Sequence, residues 1–258
     1  MLTLVTKFRG FSLKTEDSER GEIIAVLFDD RDYNAGYLVV DTEEWPASRN
    51  VLISTEAIEP PNMEERTIPT NLTQSRILDA PAIDLGEPIS EQDLADLHRY
   101  YEWSTFRPGV LPDKPATVPG TTLPDPSTPD YVITDESRTE EHVAPEPERH
   151  LRNTLEVDGY TLEIENEELG VVEDFLLDVD DWVLRYFIVD VGNRFEGAEL
   201  ALPSQWVESI DYSEQSLFVN LTEEELETAP RYDRGAEFTR EDEIVLYEHY
   251  DKEPYWRR

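Results

Sequence analysis

The sequence contains no cysteine, which excludes disulfides, thiolate nucleophiles and Cys-ligated zinc or iron–sulfur centres. Lysine is almost as scarce: Lys7, Lys14, Lys114 and Lys252 are the whole complement, and arginine supplies the rest of the 22 basic residues. The four histidines, His98, His142, His150 and His249, include no pair at helical ligand spacing, so surface histidine is preferred to metal binding. No apolar run approaches the ~20 residues needed to cross a bilayer. The start, Met1-Leu2-Thr3-Leu4-Val5-Thr6-Lys7, is too short and too polar for a secretory signal, and a cytoplasmic protein is expected. Neither a Gly-x-Ser-x-Gly elbow nor a phosphate-cradling glycine loop occurs, and no Ser/His/Asp set has local support.

What the chain does have is acid. Asp and Glu number 59, for a net charge of −37. Residues 1–106 carry 21 acids and 9 bases, residues 107–149 carry 9 and 4, and residues 150–258 carry 29 and 9. The excess therefore covers the whole chain and is not an appended tail. Such a surface repels phosphate backbones and anionic lipid, which argues against nucleic-acid or membrane partners. Lysine-poor, acid-saturated composition reads as adaptation to molar salt, where the screening length falls to ~3 Å. A multi-site cation binder or a nucleic-acid mimic is the competing reading. Apolar residues at 38%, with 12 Tyr, 9 Phe and 5 Trp, suffice for packed cores.

Sliding the chain against itself by 149 residues, the separation of Gly10 from Gly159, aligns two segments without a gap. Gly21 meets Gly170, Asp29 meets Asp178, Tyr37 meets Tyr186, Asn71-Leu72-Thr73 meets Asn220-Leu221-Thr222, Ala80-Pro81 meets Ala229-Pro230, and Tyr101 meets Tyr250. Shared composition scatters Glu matches, but it does not place glycines, tyrosines and a proline at one offset. The chain reads as a tandem duplication of one β-rich module.

Within each copy, short β-branched runs (Glu22–Phe28 and Gly36–Asp41; Val171–Leu177 and Leu184–Asp190) flank polar turns. Val51–Ile53 and Thr67–Leu72, with Leu200–Leu202 and Leu217–Leu221, complete each set. Short strands at this spacing predict two small antiparallel barrels in tandem, since closure removes sheet edges. Each barrel is followed by a short helical, aromatic-rich extension. Thr73 and Thr222 stand as N-caps, and Ser90-x-x-Asp93 and Thr239-x-x-Asp242 open a second helix. The module boundaries are 1–106 and 150–258. Residues 107–149 hold nine of the 18 prolines, and that composition predicts an extended, disordered tether.

Gly170–Asp178 and Trp182-Val183-Leu184-Arg185-Tyr186-Phe187-Ile188-Val189-Asp190, with Gly21-Glu22-Ile23 and Tyr37–Thr42 in the first copy, resemble the PRC-barrel family. That family includes the cytoplasmic barrel of the photosynthetic reaction-centre H subunit and a barrel of the bacterial ribosome-maturation factor. The H subunit's membrane helix has no counterpart in this sequence. The resemblance implies a scaffold for protein–protein contact with no reaction attached.

Asp178-x-Asp180-Asp181 suggests a calcium loop, but an EF-hand needs Gly and a bidentate Glu where Val183 and Val189 stand. A hairpin turn with solvated acids is preferred. The candidate contact residues are the aromatics of the two helical tails: Tyr100, Tyr101 and Trp103, and Tyr250, Tyr255 and Trp256. The competing reading is that they pack each helix onto its barrel. No catalytic residue, metal or cofactor is assigned. The leading expectation is a non-enzymatic protein-binding or self-associating scaffold. The alternative is a small-molecule or divalent-cation binder using the groove between the modules.

Overall fold

Runs of β-branched and aromatic residues broken by Asp, Gly and Pro turns lay the chain out as short strands with few helices. The computed structural model describes residues 1–42, 45, 49–83, 89–103, 150–164, 167–192 and 198–257. The expected tether at 107–149 lies outside them. The first copy contains β1 (Leu2–Leu4), β2 (Ser12–Lys14), β3 (Glu19–Asp29), β4 (Ala35–Asp41), β5 (Asn50–Ser54) and β6 (Thr67–Pro69), then helices α1 (Gln74–Leu78) and α2 (Glu91–Tyr101). The second contains β7 (Leu151–Asn153), α3 (Thr154–Val157), β8 (Thr161–Ile164), β9 (Glu167–Asp178), β10 (Val183–Asp190), β11 (Glu199–Pro203), β12 (Val207–Asp211) and β13 (Ser216–Val219). Helices α4 (Glu223–Glu227) and α5 (Arg240–His249) follow. No helix among the described residues is long and apolar enough to cross a membrane.

Two sheets result, with strand orders β5-β4-β3-β2-β6 and β11-β10-β9-β8-β13-β12. The expectation of antiparallel barrels is corrected here. Each sheet is mixed, because β2 pairs with β6 and β8 with β13 in parallel, and neither order returns to its first strand. In the second copy the cause lies at Ser204–Trp206, a 3-10 turn that carries the chain from β11 into β12 without reversing it.

The copies share register as well as sequence. Ser12 faces Thr67 as Thr161 faces Ser216, and Tyr37 faces Ser54 as Tyr186 faces Pro203. Even the bulges coincide: Ile24 and Glu173 are skipped in the long strands, and Gly36 and Arg185 in the returning ones. At Gly170 an added Cβ would lie 2.6 Å from the Asp190 carbonyl and 2.8 Å from Val189, so only glycine lets β9 cross β10 there. Gly21, its counterpart, has φ +96° and a similarly close Val40.

The first strand of each copy pairs with the other copy. β1 lies antiparallel to β9, with Leu2 opposite Asp178 and Leu4 opposite Leu176. β7 lies antiparallel to β3, with Leu151 opposite Asp29 and Asn153 opposite Leu27. Aromatic pairs cross the same seam: Phe28–Phe175 at 6.2 Å, Tyr33–Phe187 at 5.9 Å and Phe8–Trp182 at 6.4 Å between ring centroids. The buried residues of both copies form one continuous core. Helix starts follow the sequence reading, with Ser90/Asp93, Thr222/Glu225 and Thr239/Asp242 as capping boxes and Thr73 capping Arg76.

Candidate functional site

Strand exchange presses the Asp29–Tyr33 turn of the first copy against the β12 side of the second, and a groove of about 630 Å³ opens between them. Its walls are Asp30, Arg31, Asp32 and Tyr33 on one side, β12 residues Val207–Ile210 on another, and Arg185, Gln205, Tyr247 and Tyr255 at the back. Arg185 reaches this place because it is the bulged residue of β10, and a bulge re-aims its side chain. Gly36 holds the same bulge in the first copy. The Arg185 guanidinium stacks 4.2 Å over the Tyr255 ring and bonds Asp181 at 2.9 Å.

Behind the groove lies a buried polar network. Glu243, 2% exposed, accepts from Tyr186 Oη at 2.7 Å and Tyr255 Oη at 2.9 Å, and Arg240 Nη1 lies 2.7 Å from its other oxygen. Gln205 donates to Tyr247 Oη at 2.7 Å. Burial, reinforced by Glu243, pushes Tyr255 up to about 12, and burial with Tyr247 and Glu243 nearby drives Tyr186 higher still. The phenols are thus neutral hydrogen-bonding groups near neutrality. Tyr37 occupies the Tyr186 position in the first copy and bonds His98 Nε2 from α2. His98 is 5% exposed, which corrects the surface-histidine reading: it is the core partner that a buried phenol requires.

A second junction centres on Asp30. One oxygen meets His150 Nδ1 at 2.8 Å, and the other accepts from Arg152 Nε at 3.1 Å and Tyr212 Oη at 2.7 Å. Arg152 also stacks on Tyr212. His150 is therefore bound at the seam and is not a free surface residue. The Asp178–Asp181 turn is a hairpin, but its acids are paired: Asp178 and Asp180 with the Met1 ammonium, and Asp181 with Arg185.

Of the tail aromatics, Tyr101 and Tyr250 lie in the core, 4% and 6% exposed. Trp103 stacks on Tyr101 at 4.1 Å, and Tyr100 donates to the Arg76 carbonyl. Tyr255 and Trp256 fold back against Tyr247, with Arg240 4.1 Å over Trp256. Only Tyr255 of the six lines the groove. Sequence reasoning missed Asp30, Arg31, Tyr33, Arg185 and Tyr247. A signal was present in the repeat itself, since several of the positions at which the copies differ in chemistry (Gly36 and Arg185, Leu94 and Glu243, His98 and Tyr247) converge on the groove and the network behind it.

Among the described residues no three or more His, Asp or Glu side chains are grouped to hold a metal ion. A family model for the PRC-barrel domain matches residues 162–226, from β8 into α4 of the second copy. No curated protein matches the chain.

Proposed function

We propose that the chain is a non-enzymatic protein-binding scaffold of two PRC-barrel-like modules, joined into one body and presenting the groove between them to a protein partner. The PRC-barrel match at residues 162–226 supports the reading for the second copy, and the common registers at one offset extend it to the first. The observation that carries the binding role is the groove lining. Tyr33, Tyr247, Tyr255, Arg31 and Arg185 converge there on a surface that is otherwise dominated by carboxylates. Tyrosine and arginine are the residues in which contact energy concentrates at protein interfaces. The acidic surface, on this reading, is an adaptation to high salt, and the protein works in the cytoplasm without nucleic acid.

A second reading rests on the volume. About 630 Å³ falls within the range of small-molecule pockets. A photo-crosslinking residue at Gln205, compared with one at exposed Glu102, separates the two. One discrete protein adduct from position 205 alone supports the scaffold. No adduct, together with a melting shift on adding a metabolite, favours the small molecule.

A further inference from the structure

The copies differ along β12. Ser209 and Ile210 occupy the repeat positions that Pro60 and Pro61 fill in the first copy. β12 ends its sheet: β13 pairs with one side, and among the described residues no strand pairs with the other. That free side belongs to the groove, which Val207 through Ile210 line.

Register identifies the backbone groups on offer. In the first copy Asn62 and Thr67 exchange both backbone hydrogen bonds, at 2.8 and 3.1 Å, and the matching pair here is Asp211 with Ser216. Opposed residues of an antiparallel ladder alternate between bonded and non-bonded pairs. Ile210, opposite Leu217, is therefore of the non-bonded kind, and its N–H and C=O turn outward. Pro61 at the same position has no N–H, so the first copy closes the edge that the second leaves open.

Charge points to the occupant. Arg31 is paired with Asp29, and Arg185 with Asp181. Asp32 and Glu208 on opposite walls are exposed and take no ion pair among the described residues. The charge left unanswered in the groove is negative, as is the field of the whole chain at −37.

We infer that β12 is a docking edge for an extended, lysine- or arginine-bearing segment of a partner protein. The segment adds to the sheet through the Ile210 backbone and sets its basic side chains against Asp32 and Glu208. This inference rests on the protein-binding reading and specifies its mode.

The probe is a short acetylated peptide of alternating valine and lysine, titrated into the full chain at moderate KCl, beside a version N-methylated on alternate amides. Hydrogen exchange follows the Ile210 amide. Expected are protection of that amide on binding, a loss of about tenfold in affinity on N-methylation, and a similar loss in Ile210→Pro. The methylated peptide needs no variant, so the test survives should Ile210→Pro fail to fold. Binding indifferent to methylation and to Ile210→Pro overturns strand addition while leaving the protein-binding reading intact. An Ile210→Pro-sensitive dimer in sedimentation, with no peptide binding, assigns the edge to a second copy and overturns the choice of partner. Absence of peptide binding together with absence of any adduct from position 205 overturns both readings.

Discussion

Arg9 and Asp158 stand 149 residues apart and pair at 3.2 Å, so that one repeat position meets its own counterpart across the seam. Asn34 and Val183 do the same in an antiparallel bridge. Around them the Ala35 N–H donates to the Trp182 carbonyl at 2.7 Å and the Leu184 N–H to that of Tyr33 at 2.9 Å. Self-facing pairs and reciprocal bonds are the marks of an isologous interface. The segments that carry these pairs are thus related by an approximate two-fold within one chain. The Asp29–Tyr33 turn and β12 are brought together by that arrangement, and the groove exists only because of it.

Separating the copies is therefore expected to damage both. A fragment of residues 150–258 lacks β1 and keeps the end of β9 paired on the β10 side alone, while residues 1–106 lack β7. Each fragment alone is expected to bind a hydrophobic dye, and mixing them is expected to restore a 1:1 complex that melts cooperatively. A fragment 150–258 that melts alone like the full chain would contradict the shared core.

Gly170→Ala places a Cβ 2.6 Å from a backbone carbonyl, which cannot yield as a side-chain end can. A loss of about 1–3 kcal/mol is expected from denaturant midpoints, in the range of overpacked cores. Gly159, with φ +94° and open space, separates clash from strain: Gly159→Ala is expected to lose about 1–2 kcal/mol, from the left-handed backbone alone. Tolerance of alanine at position 170 while position 159 still loses stability would mean that β9 and β10 do not approach so closely.

Asp174 gives a pH test of the seam. It is 1% exposed, accepts from the Thr6 N–H of the other copy at 3.1 Å, and lies 3.5 Å from Arg234. Burial outweighs these bonds and raises its pKa above the ordinary 3.8. Because the folded state then holds the proton more tightly than the unfolded one, this group favours folding less as pH rises from about 4 through the folded value. Asp174→Asn removes that slope. Urea midpoints of the variant relative to the native chain should improve from pH 4 to pH 7, and a difference that stays constant with pH would refute the assignment.

How much of this could be read beforehand follows from the range of each interaction. The long strands β3, β4, β9 and β10 carry their own apolar periodicity, and the caps at Ser90, Thr222 and Thr239 are local hydrogen bonds, so both were legible. β1 and β7 are three residues each, too short for a period, and their partners lie in the other copy. The parallel pairings of β6 and β13 depend on a turn that does not reverse the chain, which no alternation pattern encodes. Tyr101 and Tyr250 carry a sequence signature common to core and contact aromatics, and burial alone separates the two roles.

Glu243 can be tested with the residue that the first copy carries there, leucine at position 94. Glu243→Leu strips Tyr186, Tyr255 and Arg240 of their common partner in a site 2% exposed. A loss of about 1–3 kcal/mol is expected, the cost of leaving the buried Tyr186 hydroxyl without its acceptor, because Arg240 is itself exposed and regains water. Adding Tyr186→Phe should cost little more, since the orphaned hydroxyl goes with it. Additive losses would show that the phenol and the carboxylate act independently.

Salt tests what the acids do. With 59 carboxylates and 22 bases, most acids on this surface face other acids across water. In dilute buffer their repulsion opposes compaction, and the unfolded chain relieves it by expanding. KCl shortens the screening length from ~10 Å at ~0.1 M to ~3 Å at ~1 M, removing most of the long-range repulsion. Paired acids among the described residues, such as Asp178 with Met1 and Asp181 with Arg185, lose some attraction under the same screening, but 59 acids against 22 bases leave the net effect repulsive. The unfolding midpoint of the full chain should therefore rise with KCl into the molar range. Sucrose is the control, because it favours burial without screening charge. A midpoint that climbs in both would reflect exclusion from the surface, and one that stays flat in KCl would remove the salt-adaptation reading, leaving the acids to serve a basic partner such as the one inferred for β12.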